Sequence, residues 1–349
     1  MSGGGPKRQP VPDVRLVRVH GRARTDRLDL DRLASGAFVV VVAAFVGLRA
    51  LGVDPWAMPA FDVYAYWATR DGFDYSVARQ GDTGAYLYSP VFAQLISPLT
   101  ALPWPIFAGV WTAIVAAPLL WLAGRYAIAL VITPPVFMSV ALGQLDVLFA
   151  AVALVGLRWP AVWVLPIVTK VTPGIGLLWF LVRREWWSLG LALSATLATV
   201  VASAALDPDG WAGWIAMLGR TEFPELGGGL WFLPVPLWLR VLAAAALIAW
   251  GAATDRRWVL PVGVLLSLPT VWLNSPTILV ALLPLAVAGA QTPAGAWLRS
   301  TAATSATSAP AATSATSVPA AAIGRAAPRR RLVTWLRRVA AQSRATFGG

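Results

Sequence analysis

The sequence predicts an all-α, polytopic membrane protein of about ten helices, some of them half-length or re-entrant, and three observations carry that prediction. Of 349 residues, 58% are hydrophobic and 13% charged, with 19 Trp and 27 Pro, more apolar and aromatic bulk than one soluble core of this size uses. Apolar runs recur from residue 33 to residue 290. The Arg residues behind the net charge of +12 concentrate in the two tails and at the ends of these runs, where lipid headgroups and translocation bias account for them. No recognition motif accompanies the charge, so no nucleic-acid partner is expected.

Residues 1–32 mix Gly, Pro, Arg and Asp without a helical or strand period and lack the apolar stretch of a signal peptide. They read as a basic cytosolic tail ending in a short amphipathic approach to the membrane. The first span runs from Leu33 to Val53, about 21 residues or about 31 Å, enough to cross the hydrocarbon. Arg49, near its outer end, either snorkels or faces a cavity in the bundle. Residues 54–87 form a polar loop carrying Asp54, Asp62, Asp71, Asp74 and Asp82 against only Arg70 and Arg79, and the positive-inside rule places it outside.

Further apolar segments cover roughly 88–102, 105–124, 126–141, 145–157, 159–182, 187–206, 235–253, 258–273 and 276–290. If Tyr88 to Pro103 spans fully, Arg125 and Arg158 are forced outside, which violates the charge bias twice. A peripheral or re-entrant helix there turns both inward and brings Gln144 and Asp146 out beside the first loop. Parity then requires 159–182 to be two half-length helices turning near Lys170-Val171-Thr172-Pro173, with Lys170 in a wet cavity, the one setting that tolerates broken backbone at membrane depth. The domain from 33 to 290 is followed by an Ala/Thr/Ser/Pro tract over 291–327, unable to bury enough apolar surface to fold. Residues 328–349 alternate basic and apolar side chains and suit anionic lipid headgroups at the cytosolic surface. Both termini are expected in the cytoplasm.

The chain has no Cys and one His, His20, in the basic tail, so thiolate and His-ligated metal chemistry are excluded. Asp207-Pro208-Asp209-Gly210 imitates the Asp-x-Asp of metal-dependent transferases, but Pro and Gly in that frame make a turn, and no metal is expected. Trp211, Trp214, Arg220, Glu222 and the Gly227–Gly229 run suit an interfacial aromatic belt. Asp62 stands out. It leaves the first span into Phe61-Asp62-Val63-Tyr64-Ala65-Tyr66-Trp67, and a carboxylate so near lipid is costly unless paired or facing a wet cavity. In that partly dry setting its pKa drifts upward toward the range of a general base. The competing reading is that Asp62 only caps a helix starting at Val63. Asp71 and Asp74 rank behind it, because Asp71-Gly72 reads as a turn.

Four stretches in order, FDVYAYW from Phe61, Tyr86-Leu87-Tyr88-Ser89-Pro90 with Pro98, Leu99, Leu102 and Pro103, Gly143-Gln144-Leu145-Asp146, and Lys170-Val171-Thr172-Pro173, resemble glycosyltransferase family 87 of the GT-C superfamily. The resemblance covers roughly residues 33–290 and implies a multi-pass plasma-membrane enzyme with its active site on the outer face. It further implies a polyprenyl-phosphate-linked sugar donor, mannose above all, a lipid or glycan acceptor, no cofactor, and Asp62 as the catalytic aspartate. Inverting transfer then needs one base and cations for the departing phosphate: Lys170, with Arg70 or Arg79. Tyr64, Tyr66, Trp67, Tyr88, Gln144, Asp146 and Asn274 are the expected sugar- and acceptor-binding residues, with the alternative that Gln144 and Asp146 only tie packed helices together. Family members often carry a His in the outward segment where Pro269–Ser275 has none. A transporter or flippase of polyprenyl-linked glycans and a non-catalytic assembly protein are the alternatives; no pseudo-symmetric halves support the first.

Overall fold

The computed structural model describes residues 19–52, 61–79, 82, 84–220, 233, 235–286 and 292–307, without the side chains of 19–29, 61 and 301–307. Every regular element among them is helical. Four helices are long and apolar enough to cross a membrane: Leu30–Ala50, Trp104–Val131, Trp186–Leu206 and Leu237–Thr254. A fifth candidate is the pair Pro134–Leu142 and Asp146–Val155, bent by 102°. The other apolar segments are shorter helices.

Helix α1 is Val19–Ala50, 32 residues long. Where the sequence suggests a short amphipathic approach to the membrane, residues 19–32 continue the span backward as helix. Extending a helix already formed costs far less than starting one, and Arg125 Nη1 ties Asp31 Oδ1 down at 2.7 Å. At its other end the helix stops at Ala50, three residues before the expected Val53, with Gly52 at φ 79°. Arg49 is buried and faces inward: it donates through Nη1 to Thr112 Oγ1 at 3.0 Å and through Nη2 to the Ala141 carbonyl at 2.5 Å.

Asp31 and Arg49 mark two ends of the bundle. Short α2 (Phe61–Ala68) and α3 (Pro90–Thr100) lie at the Arg49 end, and α3, at 11 residues, is about half the length a span needs. Helix α4 (Trp104–Ala123) runs antiparallel to α1: Gly109 lets it approach so closely that an added Cβ would sit 3.0 Å from the Val46 carbonyl oxygen. After Gly124, in a positive-φ kink, α5 (Ala127–Val131) and α6 (Pro134–Leu142) return the chain from Arg125 to the Arg49 end. Helix α7 (Asp146–Val155) leads away again, and Trp159 and Trp121 both meet Trp297 at the far end.

The segment 159–182 is broken as the sequence predicts. Helix α8 (Val164–Lys170) comes back, the chain reverses at Val171 with φ 55°, and a 3-10 turn over Thr172–Leu177 and α9 (Leu178–Arg183) recede. Pro173 sits at the start of that turn, where its missing N–H does no harm. Arg183 then pairs with Asp255 at 3.0 Å, the residue that caps α12. Thus Arg125, Arg158, Arg183, Arg184, Arg256 and Arg257 gather away from the Arg49 end.

Helix α10 (Trp186–Leu206) is followed by α11 (Pro208–Arg220), which replaces the expected turn-and-belt loop. The Asp207 carboxylate accepts the Gly210 N–H at 2.9 Å, an N-cap with Pro208 in the first helical position. Trp214 and Met217 bury one face of α11 on the first loop, where Trp214 Nε1 donates to the Leu87 carbonyl and Arg220 to those of Tyr75 and Ser76. Helices α12 (Leu237–Thr254), α13 (Val259–Ser267) and α14 (Leu282–Ala286, after a 3-10 stretch over Ser275–Ala281) complete the bundle. Helix α15 (Pro293–Thr307) corrects part of the tract expected to stay unfolded; its Ala residues, the strongest helix formers, carry it. The unit formed by Met1–Ala302 contains all these other elements, and the unit Ala303–Gly349 is described only through the last residues of α15. Asp54, Glu222, Gly227–Gly229, residues 1–18 and the remainder of the two C-terminal segments lie outside the described residues.

Candidate active site

Five stretches converge at the Arg49 end. Asp62 sits in the first turn of α2, on the face it shares with Tyr66 one turn later. Its carboxylate Oδ2 accepts a hydrogen bond from Gln144 Nε2 at 2.5 Å, so its partner lies in another part of the chain. Gln144 is presented by a sharp turn between α6 and α7. Gly143 holds the left-handed conformation there at φ 75°, and a Cβ on it would collide with Val63 Cγ2. Trp111 Nε1 and Arg49 Nη2 pin the same turn through the carbonyls of Gly143 and Ala141.

One residue further on, Asp146 is wholly buried. Its Oδ2 accepts from Asn274 Nδ2 at 2.6 Å, and its Oδ1 stands 3.8 Å from Lys170 Nζ. The Lys170 side chain keeps 14% of its surface, with the Phe149 ring 5.6 Å from the ammonium. Tyr66 Oη donates to Tyr88 Oη at 3.2 Å, and both rings pack on Phe92. Ser89 Oγ donates to the Val168 carbonyl and so fastens the Tyr88 segment to α8. Burial raises the Asp62 carboxyl from its ordinary value to about 6; the Lys170 ammonium opposes that rise and the Asp146 charge adds to it.

Of the residues singled out in the sequence, Asp62, Tyr66, Tyr88, Gln144, Asp146, Lys170 and Asn274 therefore form one group. The others do not join it. Tyr64 and Trp67 lie on the opposite face of α2, packed with Trp104 at ring distances of 5.4 and 5.6 Å. Arg70 stacks on Trp67 at 4.2 Å and pairs with Asp71, and Arg79 is exposed. Among the described residues neither arginine bonds to the group. Asp71 is exposed as well, and Asp74 serves the backbone N–H of Ser76. Asp146, with no exposed surface, offers nothing to a bound sugar.

Two residues that support the site carry weak signals in the sequence. Arg49, a charge inside an apolar run, is one. Arg240 is the other: buried in α12, it donates to the carbonyls of Val235, Leu266, Leu268 and Pro269 and so fixes the strand of chain that leads to Asn274.

The described residues form an all-helical bundle with helices of membrane-spanning length, and a carboxylate, an ammonium and amides gather at one end of it. The chain belongs to glycosyltransferase family 87: the family model matches residues 86–276, more than half of its length, and includes every member of the group except Asp62 and Tyr66. It is a membrane glycosyltransferase, with a sugar donor and an acceptor as its partners. No curated protein and no solved structure matches the chain.

Proposed function

We propose that the protein transfers a hexose, mannose in the first instance, from a polyprenyl phosphate to a lipid or glycan acceptor at the outer face of the plasma membrane, with inversion and without a metal. The observation that carries this reading is the juxtaposition of Asp62 with Gln144 and Lys170. A half-buried carboxylate whose pKa is raised to about 6 is ionised at neutral pH and still basic enough to share a proton. In the step proposed, Asp62 takes the proton of the acceptor hydroxyl as its oxygen attacks the anomeric carbon. The bond from that carbon to the phosphate oxygen breaks, and the electron pair leaves with the lipid phosphate. Lys170 lies near enough to stabilise the charge that develops there. Gln144 orients Asp62 through its amide and, with Tyr66 and Tyr88, borders the space for the sugar.

The positive-inside rule supports the orientation. Arg125, Arg158, Arg183, Arg184, Arg256 and Arg257 share the end away from Asp62, and by that rule their charge supports a cytosolic placement of that end with the site external. In membranes supplied with radiolabelled polyprenyl-phosphate-mannose, the wild-type chain is expected to form a new glycoside and Asp62→Asn none at equal expression. Full activity of the variant overturns the base; no incorporation by the wild type overturns the donor.

A further inference from the structure

We infer that Asp146 is a positioning residue: a buried counter-ion that holds the Lys170 ammonium beside Asp62 and, by its own negative charge, keeps Asp62 a stronger base. The inference rests on the reading of Asp62 as the base. Being wholly buried, Asp146 touches neither donor nor acceptor. Its two oxygens are in different situations. Oδ2 is fixed by Asn274, from a segment 128 residues away. Oδ1 has no hydrogen-bond partner among the described residues and meets only the Lys170 ammonium, at an ion-pair distance too long for a hydrogen bond.

An unpaired carboxylate in the interior is strongly disfavoured, so Lys170 is what makes Asp146 tolerable there. The dependence is mutual. Lys170 ends a seven-residue helix just before a strained reversal, and among the described residues its flexible stem has no other anion within ion-pair distance to define where the ammonium rests. An ammonium held by a contact of 3.8 Å, rather than by a short hydrogen bond, is free to lean toward an arriving phosphate without first breaking a strong bond.

The second effect is electrostatic. Asp62 is faced by Gln144 from the turn before α7, Asp146 from α7, Lys170 from the end of α8, Tyr88 from the segment before α3, and Tyr66 from its own helix. Helix α4, which also packs on α2, carries no titratable side chain. Asp62 thus feels both the Lys170 ammonium and the Asp146 carboxylate, though only Asp146 is within ion-pair distance of Lys170 among the described residues. With the Asp146 charge removed, Asp62 would face Lys170 alone and hold its proton less well.

The test is the pH dependence of transfer by full-length Asp146→Asn in membranes, with radiolabelled polyprenyl-phosphate-mannose. Asn keeps the shape and one oxygen for Asn274 while removing the charge. Its acid limb is expected to move down by about one pH unit, so that near pH 5 the rate relative to its own plateau is roughly fivefold that of the wild type. The donor KM is expected to rise as Lys170 loses its rest. A limb that stays in place overturns the electrostatic role. If Asp146→Asn fails to fold, the pair Lys170→Met and Asp146→Leu decides: together they are expected to recover the expression lost by Lys170→Met, and simply additive losses overturn the ion pair. Transfer surviving in Asp62→Asn removes the base itself, whereas an immobile limb in an enzyme silenced by Asp62→Asn removes only the role of Asp146.

Discussion

Gly143 lies directly beneath Val63, so close that the glycine has no room for a side chain, with Trp111 closing the space from α4. This contact sets the distance between α2 and the turn that carries Gln144, and hence the hydrogen bond to Asp62. Gly143→Ala adds a collision to an unfavourable φ of 75°. It is expected to cost about 3 kcal/mol of stability and, by displacing Gln144, to slow transfer about a hundredfold. Thermal unfolding in detergent and transfer assays on the same preparation check both.

Asp62 predicts two opposite pH dependences. In the proposed role of base it must be ionised, so transfer is expected to rise with pH along a limb centred near 6. For stability the direction reverses. A carboxyl whose folded pKa lies above its unfolded value stabilises the fold fully below the unfolded pKa, ordinarily near 4, and that contribution is lost as pH rises through about 6. At pH 7 Asp62→Asn should therefore melt higher than the wild type while transferring nothing, and the difference should vanish toward pH 4.

How far the sequence reaches can be judged residue by residue. Arg125 and Arg158 alone imply that α3 does not cross, and Lys170 with Pro173 imply the reversal inside 159–182, because charge and backbone chemistry are local. The faces of α2 are less legible. Eight residues of dense aromatics hide the alternation that sends Asp62 and Tyr66 one way and Tyr64 and Trp67 the other. Asp146 is legible as an unusual polar residue that either meets sugar or ties helices together, but its partners are not legible, since they come from α8 and from a segment 128 residues later. Helix α11 escapes because Trp211 and Trp214 give the same signal in a membrane-interface loop as in a helix packed on a loop.

Val171 is a β-branched residue at φ 55° and ψ −65°, a conformation that strains any side chain and Val most. It is also 46% exposed, so little packing holds it there. Val171→Gly is expected to raise stability by about 1 kcal/mol, the relief of strain less the entropy of glycine. Transfer should fall, because the neighbouring Lys170 loses its fixed exit angle. A lower melting temperature would contradict this account.

Arg240 supplies one rigid fork to four carbonyls. Arg240→Leu strands them and is expected to cost about 3 kcal/mol. Arg240→Lys, a point charge in place of a planar fork, should recover less than half of that. Hydrogen exchange should show the loss concentrated at residues 266–275 and transfer should decline with it.

The pairing of Asn274 with Asp146 also sets an order on biosynthesis. Ribosome and translocon deliver Asp62, Gln144, Asp146 and Lys170 long before Asn274, so a nascent chain carries an incompletely clamped carboxylate until nearly four-fifths of it has been made. The clamp then arrives as a late quality check, and a chain cut short of that point keeps every reactive group except the one that locks them in register.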